Sequence, residues 1–159
     1  MEAMSRGMVG GMRYAGRIKD AFEEAVRLAP ADHEMRADLV SYYLAAPAVV
    51  GGGSRKAMAT AEAFAKVDPW RGAVMVSRVL AFERKFEAAE ARLRPLAPAD
   101  AEQRDLLALG YLRIAGAHRR AGDAPKALAM IDKTLAISAT GPVADSARRQ
   151  RDELLKPKS

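Results

Sequence analysis

Cysteine is absent from the chain. That excludes disulfide staples, thiolate metal sites and a cysteine nucleophile, although it does not identify a compartment. Aromatic residues make up only 6% of the sequence, so a core built on large rings is excluded as well. Val, Ile and Thr never gather into alternating runs, which argues against strands. No apolar stretch approaches the roughly 20 residues that span a bilayer. The first residues, Met1 to Met12, lack the continuous apolar stretch of a signal peptide, because Gly7, Gly10 and Gly11 interrupt them. These absences lead to the expectation of a soluble protein without membrane insertion. It would be cytoplasmic, or periplasmic if a signal peptide has been removed.

What remains is a 159-residue chain that is 50% hydrophobic and rich in alanine. Small side chains let helix axes approach closely, so this composition suits helix-on-helix packing. The formal net charge is +6. The excess is mostly arginine interspersed with acids, densest at Arg119-Arg120 and at Arg148-Arg149 with Arg151. None of these clusters is interleaved with aromatics, so they read as solvated helix faces rather than a nucleic-acid patch.

The prolines punctuate the chain. Pro30, Pro47, Pro69, Pro95, Pro98 and Pro142 cut it into pieces of helical length, and apolar residues recur within each piece at helical spacing. Ile18, Phe22, Ala25 and Val26 form one stripe; Met35, Leu39, Tyr42 and Tyr43 form the next. Ala57, Ala61 and Phe64 follow, then Val74, Val79 and Phe82, then Phe86, Ala89 and Leu93. Longer helices are expected through Leu106–Ile114 and Leu128–Ile137, with a last one over Val143–Leu155. Asp32, Ser54, Asp100 and Asp123 are placed to cap helix starts, and Asp100 with Gln103 has capping-box spacing. About seven helices in antiparallel pairs result.

The pairs repeat. Tyr111-x2-Ile114-Ala115-x2-His118, the turn Gly122-Asp123 and Ala127-x3-Ile131 resemble a tetratricopeptide unit, the helix–turn–helix of about 34 residues that opens W-x2-L-G-x2-Y. Arg36-x2-Leu39-Val40-x2-Tyr43 with Ala57 and Pro69 is a second copy. Met75-x2-Arg78-Val79-x2-Phe82 with Ala89-x3-Leu93 is a third. Ile18-x3-Phe22-x2-Ala25 looks like the second helix of a further, truncated unit. The equivalent positions Ile18, Ala57, Ala89 and Ala127 stand 39, 32 and 38 residues apart. A narrower likeness lies in Ala46-Pro47-x3-Gly51-Gly52-Gly53-x2-Lys56-Ala57, which is similar to a loop of certain bacterial tetratricopeptide proteins of unassigned function.

The resemblance implies an all-α fold, an α-α superhelix. This would be a right-handed solenoid of antiparallel helix pairs with about 3 to 3.5 repeats. It divides the chain into an irregular arm at 1–13 and a repeat domain at 14–156. Within that domain lie a lone second helix at 14–30, repeats at about 32–69, 71–98 and 100–138, and a capping helix at 142–156. The implied function is a non-catalytic scaffold that holds another protein or peptide in a concave groove. By position in the repeat, Asp38, Ser41, Ser77, Arg113 and Arg120 would face that groove. Only Arg113 matches the residues with which some family members clamp a peptide carboxylate. An array that begins with half a unit would expose Phe22 and Val26, so weak homo-oligomerisation is expected.

Other chemistry finds little support in the sequence. The run Gly51-Gly52-Gly53 before Ser54, Arg55 and Lys56 could hold an anion. It does not meet the phosphate-loop pattern and follows no strand, so it reads as a connector. His33 and His118 are not at metal-ligand spacing, and no cofactor is implied. Met1, Met4, Met8 and Met12 recur at near-helical spacing, but the glycines between them favour an irregular arm. Two alternatives to the scaffold stay open: a basic helical module that binds nucleic acid, and an all-α enzyme with an unrecognised site.

Overall fold

The computed structural model describes residues 16–156. The expected arm at 1–13, its methionine series and the first two residues of the helix expected at 14–30 lie outside them. The described residues are all-α, with eight α-helices, one short 3-10 turn and no strand. Helix α1 covers residues 16–28. It is followed by α2 (His33–Ala45), the 3-10 turn Ala48–Val50, α3 (Ser54–Ala65) and α4 (Pro69–Phe82). Then come α5 (Phe86–Leu93), α6 (Ala101–Arg120), α7 (Ala124–Ile137) and α8 (Pro142–Leu155). The chain divides into two compact units, Met1–Met75 and Val76–Ser159.

In the first unit α2 packs on α3. Asp32 caps α2, its carboxylate accepting from the N–H groups of Glu34 and Met35. The buried face of α2 is Arg36, Leu39, Val40 and Tyr43, a spacing of three, one and three that keeps all four on one side. Opposite them, Ala57, Ala61 and Phe64 of α3 have no exposed surface. Met35, expected on the inner stripe, is instead exposed, and Arg36 lies inside. The guanidinium of Arg36 is tolerated there because Nε donates to the Pro30 carbonyl at 2.8 Å and the group lies 5.3 Å from the Phe64 ring centroid. Tyr43 reaches back to α1, its hydroxyl donating to Glu23 at 2.6 Å. Phe22, half-buried rather than bare, leans on Tyr42.

The glycine run is a tight connector whose N–H groups are already used. Gly51 donates to Ala48, Gly52 to Pro47 and Gly53 to Tyr43, which leaves none of the three for an anion. Glycine is required at position 52, since a Cβ there would lie 1.8 Å from the Ala46 carbonyl oxygen. Ser54 does not cap α3, contrary to expectation. The cap position falls on Gly53, so Ser54 is already the first helical residue and cannot fold back on the free N–H groups of its own first turn.

In the second unit α6 is the central element, packing on α5, α7 and α8. Asp100 caps α6 through the Gln103 N–H, and Gln103 returns a bond to the N–H of Ala99, one residue before the expected partner. Asp123 caps α7. The three-residue turn between α6 and α7 makes this packed pair antiparallel. Its crossing is lined by Ala108, Ala115, Ala127 and Ile131, each at most 1% exposed. Two polar links tie neighbouring helices. Ser138 donates to Asp105 at 2.9 Å, and Lys133 of α7 meets Glu90 of α5 at 2.6 Å. The hydrogen bond from Lys133 holds the Glu90 carboxyl below its ordinary value. The same ammonium sits 5.8 Å from the Tyr111 ring centroid.

Candidate functional site

The residues expected to face a groove have different surroundings. Asp38 is exposed on α2, and Ser41 is half-buried with its hydroxyl bonded to the Ala37 carbonyl of its own helix. Both belong to the first unit. Ser77 has no exposed surface, so it cannot line an open groove; it is packed inside α4 because the helix turns that face toward the core. Its hydroxyl has no hydrogen-bond partner. Thr134, also fully buried, shows the usual remedy, donating to the Met130 carbonyl one turn back at 2.9 Å. An unsatisfied buried hydroxyl is costly, and alanine is the better helix former. Ser77→Ala is therefore expected to raise stability by about 1 kcal/mol. A melting temperature that fell instead would show that the hydroxyl has a partner in solution.

Arg113 and Arg120 share a face of α6, seven residues apart. Arg120 is exposed and lines an open pocket of about 330 Å³ in the second unit, with Ala81, Phe82, Arg84, Ala117 and Ala121. Alanines from α4 and α6 form its floor. Phe82 stands at its edge, 51% exposed, although the repeat pattern expects a packed ring there. Arg84 follows in the turn between α4 and α5, held at φ 62, a region that costs a residue with a Cβ about 1–2 kcal/mol.

One turn before this pocket on α6, Arg113 is half-buried. Burial pushes its guanidinium down to about 10, and the like charge of Arg78 pushes the same way. It remains a cation at neutral pH. Among the described residues no carboxylate meets it and it makes no hydrogen bond. A group of guanidiniums offers donors and positive charge, which suits it to hold anions rather than to move protons.

Of these groups Arg113 and Arg120 were named for a groove from their place in the repeat, whereas Arg78, Arg84 and Phe82 were not. A signal for Arg78 existed, since it stands where the repeat pattern calls for leucine. Nothing local announces that Phe82 turns outward or that Arg84 takes a left-handed conformation.

The second histidine is inside. His118 is 4% exposed and its ring lies 4.0 Å, centroid to centroid, from Phe86. Nδ1 stands 3.8 Å from the Asp123 carboxylate, too far for a hydrogen bond, and has no partner. Burial pushes the imidazole below its usual 6.5, with Asp123 opposing. A lowered folded value means the unfolded chain takes up the proton first, so stability is full above pH 6.5 and falls as the pH drops through the folded value. Melting temperature is expected to decline from pH 7 to pH 5, and His118→Phe, which keeps the ring contact, is expected to flatten that slope. An equal slope in the variant would place the titration elsewhere. Among the described residues no three His, Asp or Glu side chains are grouped to hold a metal ion, and no helix is long and apolar enough to cross a membrane.

The fold and this pocket define an all-α protein with an arginine-edged pocket between two helices. Compared with known proteins, the chain matches no family model, no curated protein and no solved structure.

Proposed function

We propose that this chain is a non-catalytic scaffold of the tetratricopeptide type, which binds another protein along a groove lined by its helices. The pocket between α4 and α6 is the observation that carries the reading. It is open, has an alanine floor, and carries an exposed aromatic ring and two exposed arginines at its edge. Small residues leave room for a partner's side chains, and aromatic and arginine residues are the side chains most enriched where proteins bind each other. The helix pairs support the family part of the reading, with Ala115, Ala127 and Ile131 buried where one helix of a unit crosses the next.

Affinity capture from the source organism, followed by titration of the purified candidate, tests this. A saturable 1:1 complex of the two pure proteins is expected. If instead the chain binds oligonucleotides with an affinity that falls steeply with salt, and no protein binds, the scaffold reading gives way to the nucleic-acid one.

A further inference from the structure

We propose that the pocket between α4 and α6 is a site for a free nucleoside monophosphate, with the base on the alanine floor beside Phe82 and the phosphate on Arg84 and Arg120. The inference goes beyond the scaffold reading. A nucleotide needs no protein partner, and one bound here would keep a partner's side chains out of the pocket.

The turn after α4 has the form that glycine usually fills, and it holds arginine. The Arg84 N–H donates to the Ala81 carbonyl at 3.2 Å and the Lys85 N–H to the Leu80 carbonyl at 2.9 Å. These paired bonds close a helix on a left-handed residue, most often glycine. Arg84 takes that conformation at φ 62. Glycine would relieve the strain, so the backbone gives no reason for arginine here, and the side chain does. Arg84 lines the pocket. Arg120 enters the same pocket from α6. Gly116, one turn before it, leaves it room: a Cβ there would meet Arg120 Nη1 at 3.5 Å, so the guanidinium folds back along α6. Among the described residues neither Arg84 nor Arg120 is paired with a carboxylate.

Charge and shape select the ligand. A phosphate monoester carries close to two negative charges at neutral pH and three acceptor oxygens. Two guanidiniums, each a planar fork of donors, match that charge. A carboxylate brings one charge, which a single fork satisfies. A nucleic-acid strand needs a row of cations, roughly 6–10 phosphate contacts, rather than two. Ala81, Ala117 and Ala121 offer methyl groups with no projecting side chain, a floor on which a flat base can lie. The exposed Phe82 ring stands at its edge, and every base has a face that stacks on such a ring. The volume of about 330 Å³ is at the small end of ligand pockets, which run from about 300 to 1,000 Å³. An open, shallow-floored pocket favours a broad base. A phosphotyrosine carries its phosphate at the far end of a narrow ring and needs a deep slot.

Isothermal titration of the full chain with adenosine 5′-monophosphate in physiological salt tests this, beside adenosine and inorganic phosphate. The monophosphate is expected to bind at least about tenfold more tightly than either, the ratio that one lost charge-assisted contact produces. Arg120→Gln is expected to weaken it by a similar factor, while Arg149→Gln on α8 leaves it unchanged. Phe82→Ala should lower affinity for the monophosphate but not for inorganic phosphate, which carries no ring. Arg84→Gly separates the site from the fold. It should melt above the parent, because glycine suits the left-handed turn, and bind the monophosphate at least about tenfold more weakly. A residue serving only the fold would not do both. Equal affinity for the nucleotide and its two parts, arginine variants that bind as the parent does, or tighter binding of a phosphotyrosine peptide or a ten-nucleotide oligothymidylate each overturns the proposal. If the nucleotide fails to bind while a captured protein still forms its 1:1 complex, the scaffold reading stands and only this inference falls.

Discussion

Tyr111→Ala is expected to destabilise the protein by about 3–5 kcal/mol, the cost of emptying a buried aromatic site. Tyr111 is 7% exposed, on the inner face of α6. Burial pushes its phenol above the ordinary value, as expected of a ring held out of water. Its loss leaves a cavity between α6 and the helices packed on it, which the surroundings close only in part. For a chain of this length the change corresponds to a drop in melting temperature of roughly 6–20 °C. Differential scanning calorimetry reads it directly. A drop of only a degree or two would mean that the ring faces solvent and that α6 is rotated from the position described.

Gly72→Ala tests the first unit, and there two effects oppose each other. Gly72 lies inside α4, where alanine is normally favoured over glycine by about 1 kcal/mol. Yet a Cβ at position 72 would lie 2.3 Å from the Cα of Ala65 and 2.7 Å from its backbone nitrogen. The obstacle is main chain, so no rotamer change relieves it and α3 and α4 must part. Overpacking of this kind costs about 1–3 kcal/mol even where side chains can shift, and the upper end is expected here. The sign is therefore destabilising, by about 2 kcal/mol or more net of the propensity gain. Chemical denaturation of Gly72→Ala beside Gly116→Ala is informative, since a Cβ at position 116 would meet only the far end of the Arg120 side chain, at 3.5 Å. If Gly72→Ala proved the more stable of the two, propensity would govern and the close approach of α3 and α4 would not persist in solution.

Helical class and most element limits are legible in the residues because they depend on short-range chemistry. Asp32, Asp100 and Asp123 announce three helix starts, since a carboxylate that satisfies N–H groups two or three residues on works wherever it occurs. The stripes Leu39–Tyr43, Ala57–Phe64 and Tyr111–His118 point inward because periodicity alone sets the face. What escapes depends on partners distant in sequence or on the last half-turn of backbone. Arg36 is buried only because Phe64 and the Pro30 carbonyl come to meet it. Ser54 loses its cap role to the backbone of Gly53. Arg120, which lines the pocket, and Arg113, one turn before it, were named in the sequence only through their place in the repeat. Ser77 was misplaced because its exposure depends on how α4 is covered, which no local pattern encodes. Phe82 shows the converse, a large apolar residue at an inward-reading position that the packing leaves outside.

The helix crossings are lined largely by alanine: Ala57, Ala61, Ala89, Ala127, Ala144 and Ala147 have no exposed surface at all. Truncation at such sites costs little beyond the roughly 1 kcal/mol of helix propensity that glycine forfeits, and there is no room to grow. In a saturation mutagenesis library the damaging replacements at these positions should therefore be the larger residues, valine and leucine included, while serine and glycine survive. Hydrophobicity scores would rank those outcomes the other way round, so sequence drift in this protein is constrained by girth rather than by oiliness.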